Sequence, residues 1–444
     1  MRVLLIASSA REHAIADALS RSRHHPDIIS VCTTANPGIR NLSVSQHVQS
    51  IMDFDSVLEI AKKSKPDFAF IGPDDPIGGG LADLLASIGI PSVAPKKTLA
   101  RIEASKGFAR NLLRKHGINA SPLFRVYTSM ERKDMINFID HDLKGAFVVK
   151  YDALRGGKGV KVSGEHLSSV EEGIQYAKEC IRECGSVVLE EKLTGIEFSL
   201  LSFVSGTQVV DMPAVQDHKR AYEGDTGPNT GGMGTYTDAN HSLPFLSKED
   251  IRQASAINRH VAEALQEECG EPYRGVLYGG FMAVVDGIRV IEYNARLGDP
   301  EALNILPLLS SDFVDICQAI LQGALTEELV SFEPLATVCK YITPKSYPVS
   351  KEQQGQLVTF PEEPEQARIF YGDITQHPDG SLHLGGSRTA GIVGIAPTIA
   401  EAEHIAEELC HQVSGPVRFR SDIGTAALIQ KRIETMRALR NANK

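Results

Sequence analysis

The stretch VIEYNARLGDPE, residues 290–301, decides how this 444-residue chain is read. It follows an apolar run and the turn Asp286-Gly287, so it is the second strand of a hairpin. Side chains alternate across a strand, which puts Glu292, Asn294 and Arg296 on one face. Two oxygen donors so spaced suit Mg2+, which keeps several waters and takes phosphate oxygens for the rest. Arg296 adds a planar fork for a carboxylate or phosphate. The bland alternative is an edge strand with a solvated polar face. The direct run into Arg-Leu-Gly-Asp-Pro-Glu argues for a site instead.

Upstream the same logic continues. KGFARNLLRKHG is a charged amphipathic helix opened by Lys106, and AFVVKYDA is a strand holding Lys150. LRGGKGVKV is a glycine turn entering a further strand. Gly156, Gly157 and Gly159 let backbone amides face a phosphate, while Arg155 and Lys158 add charge. In VVLEEKLTGIE the hinge Glu190-Glu191-Lys192-Leu193 can offer adenine a main-chain donor and acceptor, and Glu197 can take ribose hydroxyls. Each piece alone reads equally well as a solvated turn or surface acid; their order argues for a nucleotide.

QDHKRAYEGDTGPNTGGMGTY, residues 216–236, is polar and glycine-rich and is expected to lack regular structure. Long structureless segments are costly to order and are usually functional loops. Asp217, His218, Lys219 and Arg220 would present charged groups to a small substrate. Asp225, Thr226, Asn229 and Thr230 add donors and acceptors, and Gly231 and Gly232 permit close backbone approach. A flexible surface loop is an equal reading of the segment by itself.

The first hundred residues alternate strands and helices, which means a parallel sheet with helices on both faces and ligands at the strands' carboxyl ends. Two loops fall there: SSAREH after the first strand, with Ser8, Ser9, Arg11, Glu12 and His13, and GPDDPIGGG, with Asp74 and Asp75. The region after about residue 334 is rich in short strands and reads as an α+β module. The fold class is therefore α/β and α+β, in several domains.

Lys plus Arg is 46 against 56 Asp plus Glu, a net charge of −10, which argues against general nucleic-acid or membrane-surface binding. The N-terminal apolar run is too short for a signal peptide, and no later run reaches the length of a membrane span. Seven dispersed cysteines read as free thiols of a reducing, cytoplasmic compartment, with Cys180 and Cys184 as spectators on a helix.

The order of Lys106, Lys150, GGKGV, EEKLTGIE and IEYNARLGDPE resembles the ATP-grasp superfamily. The segment 216–236, together with AREHA, GPDDP, RLGDPE and FRSDIG, resembles the phosphoribosylamine–glycine ligase family, nearly end to end. That resemblance implies a substrate domain over 1–103, an ATP-grasp domain over 104–325 with a mobile lid at about 125–195, and a C-terminal cap over 330–440. It implies that glycine, 5-phosphoribosylamine and ATP react through a glycyl phosphate in purine synthesis, with Mg2+ or Mn2+ on Glu292 and Asn294. Arg296, Asp217 and Asp299 would serve the glycine side. The 7–13 and 74–75 loops would take phosphoribosylamine. A monomer or homodimer is expected.

Three departures stand out. Ala7-Ser8-Ser9-Ala10 replaces a glycine-rich turn, Leu297 stands where Phe is more familiar, and no acid occurs near Gly280 and Phe281 for a second metal. Two other classes fit part of the pattern: an ATP-grasp ligase with other substrates, which the 216–236 segment opposes, and an inactive nucleotide-binding regulator, which Glu292, Asn294 and Arg296 oppose.

Overall fold

The computed structural model describes residues 1–154 and 159–441. Five parallel strands open the chain, in the spatial order Ser45–Val48, Asp27–Cys32, Arg2–Ala7, Phe68–Ile71, Ser92–Val93. The order reverses between Arg2–Ala7 and Phe68–Ile71, and a crevice opens at that switch beyond the strand ends. Ser8, Ser9 and Asp74 follow those two strands. Asp74 is helical rather than in a loop, because Asp74–Gly79 forms a short helix closed by Gly80 at φ +94°.

Two antiparallel sheets follow. The first orders Phe124–Tyr127, Val187–Glu191, Phe147–Tyr151 and Val160–Val162. Helix Val170–Cys184 covers it, with Ser169 as N-cap and a left-handed Gly185 ending it. This unit has a hydrophobic core of its own, including Phe138, Phe147, Ile174 and Leu189. The second sheet orders Gln208–Asp211, Ile196–Ser205, Arg274–Val284 and Gly287–Asn294. Helix Lys248–Cys269 packs on its far side, with a Ser247–Asp250 capping box.

The expectation of a structureless 216–236 is corrected here. Gln216–Asp217 pairs with Gly234–Thr237, which pairs in turn with Ala336–Pro344 of the C-terminal module. Between them Arg220–Tyr222 and Thr226–Asn229 form a hairpin. The segment does reach the core, since Ala221, Met233 and Tyr236 are fully buried. Its few apolar side chains suffice because the partner strand comes from more than a hundred residues away. The rest of that sheet is Ala390–Ala396 and Ala367–Tyr371, under helix Ile399–Gln412, with the short strand Val417–Arg418 paired to the end of Ala336–Pro344, and helix Ala426–Asn441 ends the described chain. No helix among the described residues is long and apolar enough to cross a membrane.

Candidate active site

A cavity of about 710 Å³ lies where the two antiparallel sheets face each other, in the size range of small-ligand sites. Glu190–Leu193 and Lys150 come from the first sheet, Glu197, Glu292 and Asn294 from the second. The walls are completed by Ser8, Ser9, Arg11 and Asp74, by residues of the 216–231 segment, and by Arg388 and Arg432.

Lysines surround Glu292. Lys106 Nζ lies 3.5 Å and Lys219 Nζ 3.7 Å from its carboxylate. Burial pushes the Glu292 pKa up, but Lys106, Lys219, Lys150 and Arg296 together hold it well below the usual carboxylate range. Lys219 also lies 3.9 Å from Glu197. Burial alone would favour its neutral form, and Glu292, Glu197 and Asp217 reverse that and keep it charged. An ionised carboxylate beside the Asn294 amide oxygen is a donor set that fits Mg2+ or Mn2+. Gly280, in register with Glu292, has little spare room: a Cβ there would sit 3.2 Å from the Glu292 carbonyl oxygen, so a side chain would require its neighbours to give by a few tenths of an ångström. The Lys219 ammonium stands near both Glu292 and Glu197.

Arg296 is fixed by a residue that the sequence reading passed over. Glu103 ends helix Lys97–Ala104; it accepts the Ala295 N–H at 2.7 Å and pairs with Arg296 Nη2 at 3.0 Å. Burial raises the Glu103 pKa, and Arg296 works against that. Arg296 Nη2 also lies 3.4 Å from Asn294 Oδ1, whereas its buried Nε has no hydrogen-bond partner. The only available signal was one acid on the apolar face of a short helix. Arg110 was missed as well. Its guanidinium donates to Glu190 at 2.8 Å and to the carbonyls of Val290 and Ile291. Glu190 is also paired with Lys150, so its side chain is engaged, and its main chain lies in a strand paired on both edges.

Asp299 is a junction. It accepts from Ser9 Oγ at 2.8 Å, Tyr341 Oη at 2.6 Å and Arg388 Nη2 at 3.2 Å. Arg388 also donates to the carbonyls of Gly231 and Gly232. Asp217 lies near Glu301, which accepts hydrogen bonds from Tyr278 and Ser199. Burial, and then the charge of Glu301, push the Asp217 pKa well up, against Lys219 and Arg388.

Ser8, Ser9, Arg11, Asp74, Asp217, Lys219, Arg220, Asp225, Asn229, Thr230 and Gly231 all line the cavity. Glu12, His13, Asp75, Thr226 and Gly232 are not among the lining residues. Glu12 accepts the Ser8 and Ser9 N–H groups at 3.0 and 2.8 Å as a capping box. Ser9 is extended, at φ −153°, so the turn requires no glycine at that position. Those amides are therefore already answered from within the helix rather than left for an anion. His13 accepts the Tyr371 N–H at 2.9 Å and stacks on that ring, joining the first domain to the last sheet. Asp225 has its carboxylate on Arg420 and Arg432. Gly156, Gly157 and Lys158, with Arg155, lie outside the described residues.

Two sheets closing on a lysine-lined cavity, with a Glu–Asn pair on the edge strand Gly287–Asn294, define an ATP-grasp fold. Solved structures agree with that class. The biotin carboxylase domain of the Hydrogenobacter thermophilus 2-oxoglutarate carboxylase, solved with MgADP, ADP and bicarbonate, matches at a TM-score of 0.72 with 13% identity, over 98% of this chain and 93% of that one. The phosphoribosylamine–glycine ligase of Thermotoga maritima matches at 0.78 with 28% identity, over 95% and 100%. The family models of phosphoribosylglycinamide synthetase match in three parts: the N domain over residues 1–103, the ATP-grasp (A) domain over 104–302 and the C domain over 337–426. Phosphoribosylamine–glycine ligases of Methanosarcina barkeri and Methanocaldococcus jannaschii are each 45% identical, over 99% of this chain and all of theirs. The chain belongs to the phosphoribosylamine–glycine ligase family and is an ATP-dependent ligase.

Proposed function

We propose that this chain joins glycine to 5-phosphoribosylamine with cleavage of ATP, giving glycinamide ribonucleotide, ADP and phosphate. The observation that carries this is one cavity in which Glu292, Asn294, Arg296, Lys106, Lys150 and Lys219 converge against the 216–231 wall.

Adenine lies on the apolar shelf of Val148, Ile196, Met282 and Ile291. The N–H groups of Glu191 and Lys192 already bond Leu123 and Ala146, so the donor to the base falls to Leu193. Glu197 takes ribose hydroxyls, and Lys106, Lys150 and Gly159 attend the phosphates. Mg2+ or Mn2+ on Glu292 and Asn294 would neutralise phosphate charge. Arg296, held by Glu103, receives the glycine carboxylate, while the paired acids Asp217 and Glu301 suit its ammonium group. A carboxylate oxygen attacks the γ-phosphorus and ADP leaves. The amine of phosphoribosylamine then attacks the acyl carbon, loses a proton and expels phosphate. Phosphoribosylamine approaches from the end bounded by Ser8, Arg11, Asp74, Asn229 and Thr230, with Asp299 holding that end together. No residue forms a covalent bond, so the chemistry rests on positioning and charge.

Water would hydrolyse the glycyl phosphate. The separately cored unit over residues 124–191 is the lid in this reading, closing on the second sheet when ATP binds. The free, dispersed thiols support a cytoplasmic location.

A coupled assay tests the reaction: ADP release should require both glycine and phosphoribosylamine. Release with either substrate omitted would point to a different ligase. Amide exchange in the 124–191 unit should slow on addition of ATP and metal, and unchanged exchange would remove the lid.

A further inference from the structure

The hairpin Arg220–Tyr222 with Thr226–Asn229 forms part of the cavity wall, and within it the strand pairing is joined by Arg220 donating to the Gly227 carbonyl at 2.9 Å and Thr226 Oγ1 to the Glu223 carbonyl at 3.0 Å. Those bonds close the hairpin on itself; what fixes it to the body of the molecule includes a lacing to the segment 418–422. Arg418 donates to the Ala221 carbonyl at 2.7 Å and Arg420 to the Arg220 carbonyl at 3.0 Å. Ser421 Oγ donates to Glu223 at 2.6 Å, and the Gly224 N–H donates to Asp422 at 3.0 Å. Arg420 is completely buried, and its remaining donors reach Asp422 at 2.8 and 2.7 Å and Asp225 at 3.1 Å. Asp225 has a left-handed backbone, at φ +60°, which Asp tolerates better than most side chains, and which turns its carboxylate toward Arg420. Arg432 of the last helix holds the other carboxylate oxygen. The 418–422 segment is itself anchored, because the fully buried Lys340 donates to the Ser421 carbonyl at 2.8 Å and pairs with Glu403 and Glu407.

We infer that Arg420 is a positioning residue: from the C-terminal module, through Asp225 and the Arg220 carbonyl, it sets where the 220–229 hairpin stands at the phosphoribosylamine end of the cavity. The inference rests on the function proposed above for that end. Arg220 also pairs with Glu165, in the turn after strand Val160–Val162, at 2.5 Å. Thr230 and Gly231 follow the hairpin directly, and Arg388 ties Gly231 to the Asp299 junction. A planar fork serving three acceptors cannot be replaced by a point charge. Burial would raise the Asp225 pKa, but Arg432 and Arg420 hold it down to about 2, so the latch stays charged through the working pH range.

The test uses the full chain. In Arg420→Lys the Michaelis constant for phosphoribosylamine should rise about tenfold while that for ATP stays within about twofold. Amide exchange at 220–230 in the absence of substrates should quicken at least about tenfold, with the parallel sheet unaffected. Asp225→Asn leaves the buried guanidinium paired with Asp422 and weakens only its hold on the hairpin. It carries the same test if Arg420→Lys does not fold, with the same direction expected. Unchanged exchange at 220–230 together with unmoved Michaelis constants would overturn the proposal. So would a stability loss spread evenly over the chain. The exchange experiment involves no substrate, so it stands or falls apart from the ligase reading, which fails instead if the parent chain shows no glycine-dependent ADP release.

Discussion

Glu292 concentrates the electrostatics of the cavity in one side chain. It is held ionised by three lysines and Arg296 although burial opposes it, and it belongs to a cleft rather than a core. Glu292→Gln keeps the shape and removes the charge. Turnover should fall by about two orders of magnitude or more, and Mn2+ binding followed by paramagnetic resonance should weaken; the thermal midpoint should fall as well, because the ionised carboxylate compensates the lysines around it. Normal turnover at saturating metal would place the metal elsewhere. Glu103→Gln should behave differently, because Glu103 is buried beneath Arg296. Removing one partner leaves a buried charge uncompensated, at a cost of about 3 kcal/mol. Both denaturation and the Michaelis constant for glycine should report the change; a stable variant with normal glycine binding would show that Arg296 needs no such support.

At the scale of elements, the 216–237 segment shows how a polar stretch acquires structure. Its own sequence offers few apolar anchors, but strand Gly234–Thr237 is paired on both edges, to Gln216–Asp217 and to Ala336–Pro344. Gly234 makes that possible: its φ is +151°, and an added Cβ would lie 2.2 Å from the Cys339 carbonyl oxygen. Gly234→Ala therefore has to push two strands apart. A loss of about 2–3 kcal/mol is expected in urea denaturation, with faster exchange along 216–237. A variant as stable as the parent would mean that the strand pairing is dispensable. The glycines of this segment were legible in the sequence as close-approach positions, but what they approach was not.

At the scale of the whole molecule, His13 joins the first domain to the last. Burial lowers its pKa to about 3, and its Nδ1 lone pair is occupied by the Tyr371 N–H. Burial, with Arg420 adding to it, likewise lowers His218 to about 4. Below the unfolded value of about 6.5, the unfolded chain takes up protons that the folded chain refuses. Stability should therefore fall as pH drops from about 6.5 toward 4, by about 1.4 kcal/mol per pH unit for each histidine. His13→Asn can still accept the Tyr371 N–H and should make this acid slope shallower by one proton. Denaturant midpoints between pH 7.5 and 4.5 would show it, and an unchanged slope would discharge His13 from the role.

The sequence by itself determined the alternation of the first sheet, the hairpin that carries Glu292 and Asn294 on one face, and the lysines that join them, because strand periodicity and residue chemistry are local properties. It did not reveal that His13 is a domain contact, that Asp299 is shared by three distant donors, or that Asp225 is held by Arg420 and Arg432. A polar side chain has the same chemistry whether it faces a ligand or a buried partner. Only the tertiary structure decided which it was, since the partners of these residues lie up to several hundred positions away and their pairing is set by how the sheets pack.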